Sequence, residues 1–568
     1  MPTCEERIYS NDYYDILTDF SIAETPPAGS DYCYLAINDV LGIIYINKNE
    51  LPPLSLARYT YRFVPKLYAP MIDENVSFAL LKSGILPVQS PPLSLTGQNI
   101  IIGIPDSGID YTNPAFRKED GSTRILAIWD QTIPSTDTGT VPFGTVYTQE
   151  EINLALQSEN PYGIVPSIDE TGHGTAMASA AGGYAHDTST IYGGAINAEF
   201  VIVKCKQAKG YLRDFYQIND SAVAYSETDL MLGCRFIDSF VRIFDRPVVF
   251  CLGIGGNQGS HNGTSLFSEY LNSLSLKRSR AVIVSGGNQG NSLGHYTSSG
   301  DTDVEIRVGE NEKGFTLEIW GSIPERFSIQ IVSPGGETTD TFSPQIAQAQ
   351  TYRFVYENTI ISAYGELTEQ GSGLEVMTII FQFPASGIWL IRVRNAGSFN
   401  MWLPGKSFLS SDTYFLNASP DHTITEPGYA QEIITVSGYQ DLNNAFWPES
   451  GRGNSFKPDF AAPAVDIPIA SDVFSFDSVL PESVSSQIPV TATGTSLSAA
   501  ITAGAVAQFL EWAIIKNRDP FVKSREIKSY FQRGAVRDTD KTYPSNTWGY
   551  GRLNLQGVFD SLVGRYLV

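Results

Sequence analysis

The chain has 568 residues, of which 42% are hydrophobic and 17% are charged, so it is long enough to bury several cores. Its 29 Tyr and 30 Phe residues exclude a solvated, disordered chain. The formal net charge of −23 opposes binding to nucleic acid or anionic lipid, and no run of Lys or Arg offers a path for phosphates. We therefore expect neither nucleic acid nor a membrane among its partners.

The first 89 residues combine short apolar runs, a segment rich in Pro and a stretch with helical spacing, which predicts a small α+β unit. Its start, MPTCEERIYSNDYYD, is polar and acidic, so we expect no secretory signal and synthesis in the cytoplasm. No stretch reaches about 18 uninterrupted apolar residues, which predicts that nothing spans a bilayer. Of five widely spaced cysteines, three lie in apolar runs, which favours buried free thiols over bridges or metal ligands.

From Asn99 onward, continuous apolar runs alternate with helical segments, which is typical of a parallel sheet covered on both faces. Around residue 301 the pattern changes to short β-branched and aromatic runs separated by turns, which predicts a β-sandwich that ends near Phe415. The α/β pattern then resumes, so the sandwich is an insertion in a surface loop. The predicted units are residues 1–89, 90–300, 301–415 and 416–568.

Three short motifs carry candidate catalytic residues, each at a strand end or a helix start. They are Asp106 in DSGID, His173 in GHGTAMASAAGG and Ser496 in GTSLSAA. Taken singly, the first is typical of a turn and the last of a helix N-cap. Together they supply a carboxylate, an imidazole and a hydroxyl, in the chain order that subtilisin uses.

A hydroxyl nucleophile needs a base that titrates near neutrality, and the chain has only five histidines. His173 lies between two glycines at a predicted helix start, where backbones can approach closely. The other four lie in polar turn sequences that predict exposed loops; they are His186, His261, His295 and His422. Ser496 would then attack the peptide carbonyl, His173 would transfer the proton and Asp106 would hold the imidazole. The helix after Ser496 directs its positive end towards the nucleophile.

The motifs DSGID, GHGTAMASAAGG and GTSLSAA resemble the three catalytic signatures of the subtilase family. The segments INAEFVIVK, KPDFAAPAVDI and YGRLNL, which lie between and after them, are similar as well. The resemblance runs from about Asn99 to Leu555, interrupted only by the β insert. It implies a serine endopeptidase with an α/β fold in which helices flank a parallel sheet.

The resemblance also implies an Asn carboxamide in an oxyanion hole, and the pentapeptide GGNQG occurs twice, at 255–259 and 286–290. The second copy resembles the family's oxyanion segment, which favours Asn288; Asn257 is the alternative, and either could be a plain turn residue. The segment before the first copy resembles the strand edge that pairs with substrate, with Leu252 and Gly253 lining it.

Three features resemble the Csp-type proteases of spore-forming anaerobes: the N-terminal unit, the β insert and the end of the GTSLSAA motif, which lacks Pro. This implies a prodomain that acts as an intramolecular chaperone, is cut by the enzyme and stays bound. It also implies a jelly-roll insert that rigidifies the protease, a spore-cortex lytic proenzyme as substrate, and packaging in the spore.

The segment ILPVQS is similar to the end of that family's prodomain. An autocleavage site must lie extended in the cleft, and Pro87 favours extension, so we predict cleavage between Gln89 and Ser90. The alternative is an uncut linker between the units.

Three other functions stay open: a signalling pseudoprotease with an idle triad, a general intracellular subtilase, and an insert that binds carbohydrate or a partner. Trp320 and Trp389 of the insert lie in strand-like contexts that predict core packing rather than an exposed binding face. No cofactor is predicted to be required. Calcium is possible, but no Asp-rich loop has recognisable ligand spacing, so no metal ligands are predicted.

Overall fold

The computed structural model describes residues 3–19, 33–50, 53–56, 59–70, 78–135, 141–219, 221–344, 349–454, 456–470 and 490–562. Within them the chain forms an N-terminal unit, a large α/β domain and a β insert.

The N-terminal unit is a three-stranded antiparallel sheet with one helix, followed by a separate short strand. Its elements are α1 (Cys4–Tyr9), β1 (Tyr13–Asp19), β2 (Cys33–Ala36), β3 (Leu41–Asn47), a 3-10 turn (Tyr61–Phe63) and β4 (Leu67–Pro70), and β3 is the central strand of the sheet. A disulfide joins Cys4 to Cys33, whose Cα atoms are 5.2 Å apart. The prediction of free thiols is wrong for this pair, because α1 packs against β2. Buried free thiols are found at Cys205, Cys234 and Cys251.

Two short helices follow β4, at Ala79–Lys82 (α2) and Ile85–Gln89 (α3). Ile85 and Val88 are fully buried in the same hydrophobic core as the catalytic-domain helices. These helices therefore pack with the α/β domain, although the predicted unit 1–89 includes them. The prediction of an extended segment around Pro87 is wrong. Proline is tolerated in the first turn of a helix, where its missing N–H is not needed.

The α/β domain is built on a nine-stranded, mostly parallel sheet with helices on both faces. Across the sheet the strands lie in the order Ala445–Phe446, Ile434–Gln440, Arg280–Ser285, Val248–Leu252, Ile101–Asp106, Glu199–Lys204, Ile125–Asp130 and Thr145–Thr148, and Phe460–Pro463 pairs with Ile434–Gln440. The first half comprises β5 (Ile101–Asp106), β6 (Ile125–Asp130), β7 (Thr145–Thr148), α4 (Gln149–Leu156), α5 (His173–Gly182), β8 (Tyr184–Ala185), β9 (Thr190–Ile191), β10 (Glu199–Lys204), α6 (Gly210–Phe215), β11 (Tyr225–Ser226), α7 (Glu227–Phe244), β12 (Val248–Leu252), β13 (Ile254–Gly255), α8 (Leu266–Ser275) and β14 (Arg280–Ser285).

The second half of the domain comprises β25 (Ile434–Gln440), β26 (Ala445–Phe446), β27 (Phe460–Pro463), β28 (Ile467–Pro468), β29 (Thr491–Ala492), α9 (Thr495–Leu510), α10 (Ser524–Gly534) and α11 (Leu555–Leu562). Every residue of α9 is buried, because small side chains let it pack closely against α5. A Cβ atom at Gly504, for example, would lie 2.3 Å from the carbonyl oxygen of Ala181. With its continuation to Ile515, this helix is long and apolar enough to cross a membrane. However, 83% of its most apolar window is buried inside the protein, which is typical of a core helix.

The β insert consists of two antiparallel sheets, one of six strands and one of four, that share one core. Its strands are β15 (His295–Ser299), β16 (Thr302–Val308), β17 (Gly314–Gly321), β18 (Ser328–Val332), β19 (Ala349–Arg353), β20 (Ile360–Glu366), β21 (Glu375–Gln382), β22 (Gly387–Arg394), β23 (Ser398–Trp402) and β24 (Tyr414–Phe415). The first strand starts at His295, so the predicted start at residue 301 is six residues late. Trp320 and Trp389 are buried.

Three histidines lie at the junction between the insert and the α/β domain, where sequence analysis predicts exposed loops. His261 stacks on Trp402 with ring centroids 4.1 Å apart, and His295 stacks on the same indole at 4.9 Å. His422 lies 5.9 Å from the ring of His295. The prediction is wrong for His261 and His295, which are buried, because contacts between distant segments cover these polar turns.

Candidate active site

The three candidate catalytic residues lie at one edge of the parallel sheet. Asp106 is the last residue of β5, and His173 is the first residue of α5. Ser496 is the second residue of α9, the helix that packs beside α5. All three side chains are buried. The carboxyl ends of parallel strands and the helix starts that follow them meet at this edge, which is where α/β folds place their sites.

Asp106 and His173 form a direct side-chain contact, with Nδ1 of the imidazole 2.6 Å from Oδ1 of the carboxylate. The backbone N–H of Ser107 donates to the same oxygen at 2.7 Å. A carboxylate at Nδ1 selects the tautomer whose Nε2 can accept a proton. The pair therefore has the geometry of a general base that a carboxylate holds in place.

Two glycines allow the backbones around these residues to approach closely. A Cβ atom at Gly174 would lie 2.1 Å from the carbonyl oxygen of Gly108, so α5 can rest on the turn after Asp106 only with glycine there. A Cβ atom at Gly253 would lie 2.8 Å from Cβ of Ser496 and 2.7 Å from Sδ of Met177. Gly253 therefore lies directly against the candidate nucleophile.

Asn288 follows β14 and lies beside the start of α9. Its Oδ1 accepts hydrogen bonds from the backbone N–H of Thr495 at 3.1 Å and from the Thr495 hydroxyl at 2.8 Å. Two donors on the oxygen fix the orientation of the carboxamide and leave its NH2 group to donate elsewhere. The alternative, Asn257, uses its Nδ2 to donate to the carbonyl oxygen of Leu403 in the β insert. Of the two, Asn288 lies next to the nucleophile.

The strand edge beside the nucleophile differs from the prediction by two residues. Leu252 is fully buried in β12 and pairs with Val284 of β14, whereas Gly253 lies against Ser496. The residues that pair outward are Ile254 and Gly255, and their partners are Pro70 and Ala69 of β4. The sequence patterns do not point to Ile254 and Gly255, because the strand that pairs with them lies nearly two hundred residues earlier in the chain.

Strand β4 lies between two strands of the α/β domain. Its other edge pairs with β11, where Tyr68 is opposite Tyr225 and Leu67 is opposite Ser226. The Tyr68 ring packs edge-on against Phe267 at 5.5 Å. Burial, and then the nearby charge of Asp106, raise the pKa of Tyr225, so its phenol stays neutral beside this strand.

The predicted cleavage site lies far from the nucleophile. The Gln89 side chain donates to the carbonyl oxygen of Gly194 at 2.7 Å, and Gln508 of α9 donates to the same oxygen at 2.8 Å. Gln508 is twelve residues along α9 from Ser496, which at 1.5 Å per residue is about 18 Å. Gln89 and Ser90 therefore do not reach the active site in this structure.

Among the described residues, no group of three or more His, Cys, Asp or Glu side chains could hold a metal ion. The side chains of Ser496, His173, Asp106 and Asn288 supply a nucleophile, a base, a carboxylate that orients the base, and an amide donor. Such a set can perform acyl transfer through a tetrahedral intermediate.

Comparison with known proteins gives a consistent result. The subtilase family matches residues 97–375 and 395–551, which is more than half of the chain. The CspB protease of Clostridium perfringens has 31% sequence identity and a TM-score of 0.74, over 86% of this chain and 98% of that one. Fervidolysin from Fervidobacterium pennivorans, a keratinolytic enzyme related to subtilisin, has 12% identity and a TM-score of 0.44, over 96% of this chain and 61% of that one. Curated proteins give no match.

The family match and the likeness to CspB agree with the geometry of Asp106, His173, Ser496 and Asn288. The predicted resemblance to Csp-type proteases is confirmed. The chain belongs to the subtilase family and is a subtilisin-like serine protease.

Proposed function

We propose that this protease cuts its own chain after β4 and retains the N-terminal unit as a bound prodomain. The observation that carries the proposal is the pairing of β4 with both β11 and β13. An extended segment between two strands beside a nucleophile is bound as a peptide substrate is bound, by strand addition. The N-terminal unit thus presents a segment of its own chain to the active site.

The register of β4 indicates which bond is cut. Ala69 is opposite Gly255 and Pro70 is opposite Ile254, so the chain runs towards Gly253, the residue that lies against Ser496. We therefore propose that the cut falls one residue beyond Pro70, at the bond between Met71 and Ile72. Residues 71–77 lie outside the described residues. This site replaces the cleavage between Gln89 and Ser90 that sequence analysis predicts.

Several contacts beyond β4 would hold the N-terminal unit after cleavage. Lys209, which precedes α6, donates to the carboxylate of Asp15, and the Asp15 backbone N–H donates to the Tyr211 hydroxyl at 2.7 Å. On the insert side, the Tyr61 hydroxyl lies 2.7 Å from both oxygens of Glu318. These groups are buried, and contacts of this kind persist when the covalent connection is lost.

In the proposed reaction, Ser496 Oγ bonds to the carbonyl carbon while Nε2 of His173 takes the hydroxyl proton. The carbonyl oxygen becomes an oxyanion, to which the Asn288 NH2 group donates. The C–N bond then breaks as His173 returns the proton to the leaving amine, and water hydrolyses the remaining ester by the same steps. Asp106 holds the imidazole throughout.

We further propose that the external substrate is the proenzyme of a spore-cortex lytic hydrolase and that the protein acts in the spore after synthesis in the cytoplasm. The similarity to the CspB protease supports this substrate. In this proposal the β insert is a jelly roll that rigidifies the protease, and its buried contact with the α/β domain, where Trp402 stacks on His261, supports that role. The alternatives are an idle triad in a signalling protein and a subtilase unrelated to spores.

Autoprocessing is tested by expressing the wild-type chain and the Ser496→Ala variant and comparing them on a denaturing gel. The proposal predicts two bands from the wild type, which stay together on a sizing column under native conditions, and one band from the variant. A single band from both chains would favour the idle triad. Two bands from both would mean that another protease makes the cut.

The external substrate is tested by incubating the processed wild-type protein with a purified cortex-hydrolase proenzyme. Shortening of the proenzyme together with a gain of cortex-lytic activity supports the proposal, and Ser496→Ala is the matched control. An intact proenzyme, in the presence of an autoprocessed protease, would favour a subtilase with another substrate.

A further inference from the structure

The helix that starts with His173 is capped by three side chains from outside its first turn. Its N-cap residue, Gly172, has no side chain to accept a hydrogen bond from the first amides. The N–H of Gly174 instead donates to Ser107 Oγ at 2.9 Å, and that of Thr175 donates to Asp169 Oδ2 at 2.9 Å. The N–H of His173 is 3.3 Å from Thr171 Oγ1.

Asp169 accepts hydrogen bonds on both carboxylate oxygens. Its Oδ1 accepts from the N–H of Gly172 at 2.9 Å, and its Oδ2 accepts from the N–H and the hydroxyl of Thr175 at 2.9 and 2.7 Å. The side chain is buried, and its negative charge lies at the positive end of α5. One carboxylate therefore spans the residues on both sides of His173.

The Thr175 hydroxyl connects this carboxylate to the turn that follows Asp106. While it donates to Asp169, it accepts from the backbone N–H of Asp110 at 2.8 Å. Asp110 is four residues after Asp106, and Ser107 holds the same helix from the other side. The turn after β5 and the start of α5 are thus joined at two points.

We propose that Asp169 is a positioning residue of the protease, which acts with Thr175 to orient His173 towards Asp106. The Asp169 carboxylate bonds to the start of α5 and acts on the reacting atoms through His173. It fixes the start of α5, and the 2.6 Å contact between Nδ1 and Oδ1 depends on where that start lies. The family's catalytic roles go to Asp106, His173 and Ser496, and this role lies outside them.

The most direct test is the low-field proton resonance of the hydrogen bond between His173 Nδ1 and Asp106. It is recorded on the full chain carrying Ser496→Ala, so that no processing occurs, with and without Asp169→Asn, Thr175→Val or Thr175→Ser. We expect Asp169→Asn and Thr175→Val to shift or broaden the resonance and Thr175→Ser, which keeps the hydroxyl, to restore it. The control is Asp120→Asn, because Asp120 makes the same type of bonds to Ser122 on an exposed turn.

The same substitutions are made in the active chain, and the first-order rate of autoprocessing is measured. This step is intramolecular, so a slower rate reports alignment rather than substrate affinity. We expect Asp169→Asn to slow it by about 10- to 100-fold, as misplacement of a catalytic group does. Thr175→Ser and Asp120→Asn are expected to stay within about threefold, and thermal melting verifies that each variant folds.

An unchanged resonance in folded Asp169→Asn protein would overturn the proposal, as would equal losses of rate in Thr175→Ser and Thr175→Val. A wild-type chain that does not process itself would contradict the proposed function instead, and the resonance would still decide the role of Asp169.

Discussion

The pentapeptide GGNQG occurs at residues 255–259 and again at 286–290, in both cases shortly after a strand of the parallel sheet. In the second copy, Asn288 turns its oxygen to Thr495 and so lies beside the nucleophile. In the first copy, Asn257 turns its NH2 group to Leu403 of the β insert. The same five residues thus lie beside the nucleophile in one place and join the units in the other.

The surroundings explain the difference. Around the first copy, Gly255 pairs with Ala69 of the N-terminal unit, and the N–H of Gly259 donates to Glu318 of the insert at 3.0 Å. Around the second copy, backbone N–H groups donate to the α/β domain itself, although the Gln289 side chain accepts from the Lys406 N–H of the insert. The N–H of Gly286, for example, donates to the carbonyl oxygen of Val436 at 2.8 Å. The function of each copy is set by what packs against it rather than by its own sequence.

The two Asn residues are expected to differ most in their effect on the rate of autoprocessing. We expect Asn288→Ala to reduce the rate of autoprocessing by about 10²- to 10³-fold, because one oxyanion-hole donor is lost. The matched variant, Asn257→Ala, is expected to leave the rate within a few-fold. It should lower the free energy of unfolding by about 1–2 kcal/mol, because a buried carbonyl loses its donor. Comparable rates in the two variants would contradict the assignment.

The first copy is also predicted to make the protein sensitive to acid. His261, whose Nε2 lies 3.1 Å from the carbonyl oxygen of Asn257, has its pKa lowered to about 3, and His295 has its pKa lowered to about 4. Burial is the main cause in both, and the neighbouring His422 adds to it. These histidines stay neutral in the folded protein and take up protons near pH 6.5 when it unfolds. Stability should therefore fall as the pH drops below about 6.5 towards 4.

This acid sensitivity is measured as the urea midpoint of unfolding between pH 7 and pH 4. His295→Gln keeps a donor for the Asn400 oxygen, which lies 3.0 Å from Nε2 of His295, and should make the decline less steep. His186→Gln, outside the junction, is the control and should leave the slope unchanged. A midpoint that is independent of pH would show that His261 and His295 are already protonated or exposed in the folded protein.

A smaller effect is expected where the insert contacts the N-terminal unit. Tyr61→Phe removes the hydroxyl that donates to the buried Glu318 carboxylate. In the variant, the Gly259 N–H still donates to this carboxylate. Loss of a hydrogen bond to a charged group should lower the free energy of unfolding by about 1.5–3 kcal/mol. Less of the N-terminal fragment should then co-elute after processing. Tyr356→Phe, at a residue that is 85% exposed, is the control, and an equal loss there would contradict the role of Tyr61.

The smallest expected effect is a difference in the free energy of unfolding between variants at the Gln residues of the two copies. Gln289 accepts from the Lys406 N–H at 3.1 Å, whereas the buried Gln258 carboxamide has no hydrogen-bond partner in the part of the chain that the structure describes. Gln289→Leu should lower the free energy of unfolding by about 1 kcal/mol, and Gln258→Leu should leave it nearly unchanged. Chemical denaturation at neutral pH distinguishes the two, and the reverse order would show that Gln258 has the more important contact.

Sequence patterns predicted the elements whose signal is local. The apolar run that ends at Asp106 predicts a buried strand, and the glycines around His173 predict a close backbone approach; the structure has both. The subtilase resemblance, which rests on three short motifs, is confirmed by the family match.

Sequence patterns did not predict contacts between residues that lie far apart in the chain. Nothing in the segment around Ala69 indicates that it pairs with Gly255, nearly two hundred residues later. The polar neighbours of His261 predict an exposed loop, because stacking on Trp402 has no local signal. At Pro87 the local rule itself was ambiguous, since proline suits both an extended segment and the first turn of a helix.

The central claim is that β4 delivers the N-terminal chain to Ser496, and the residue at which the processed protein begins tests it most directly. Sequencing of the N-terminus of the large fragment, with intact-mass measurement of both fragments, locates the cut bond. The account predicts that the large fragment begins at Ile72 and that Ser496→Ala yields no fragment. A large fragment that begins at Ser90 would contradict it, because the structure keeps Gln89 in a helix beside Gln508, which lies about 18 Å along α9 from Ser496.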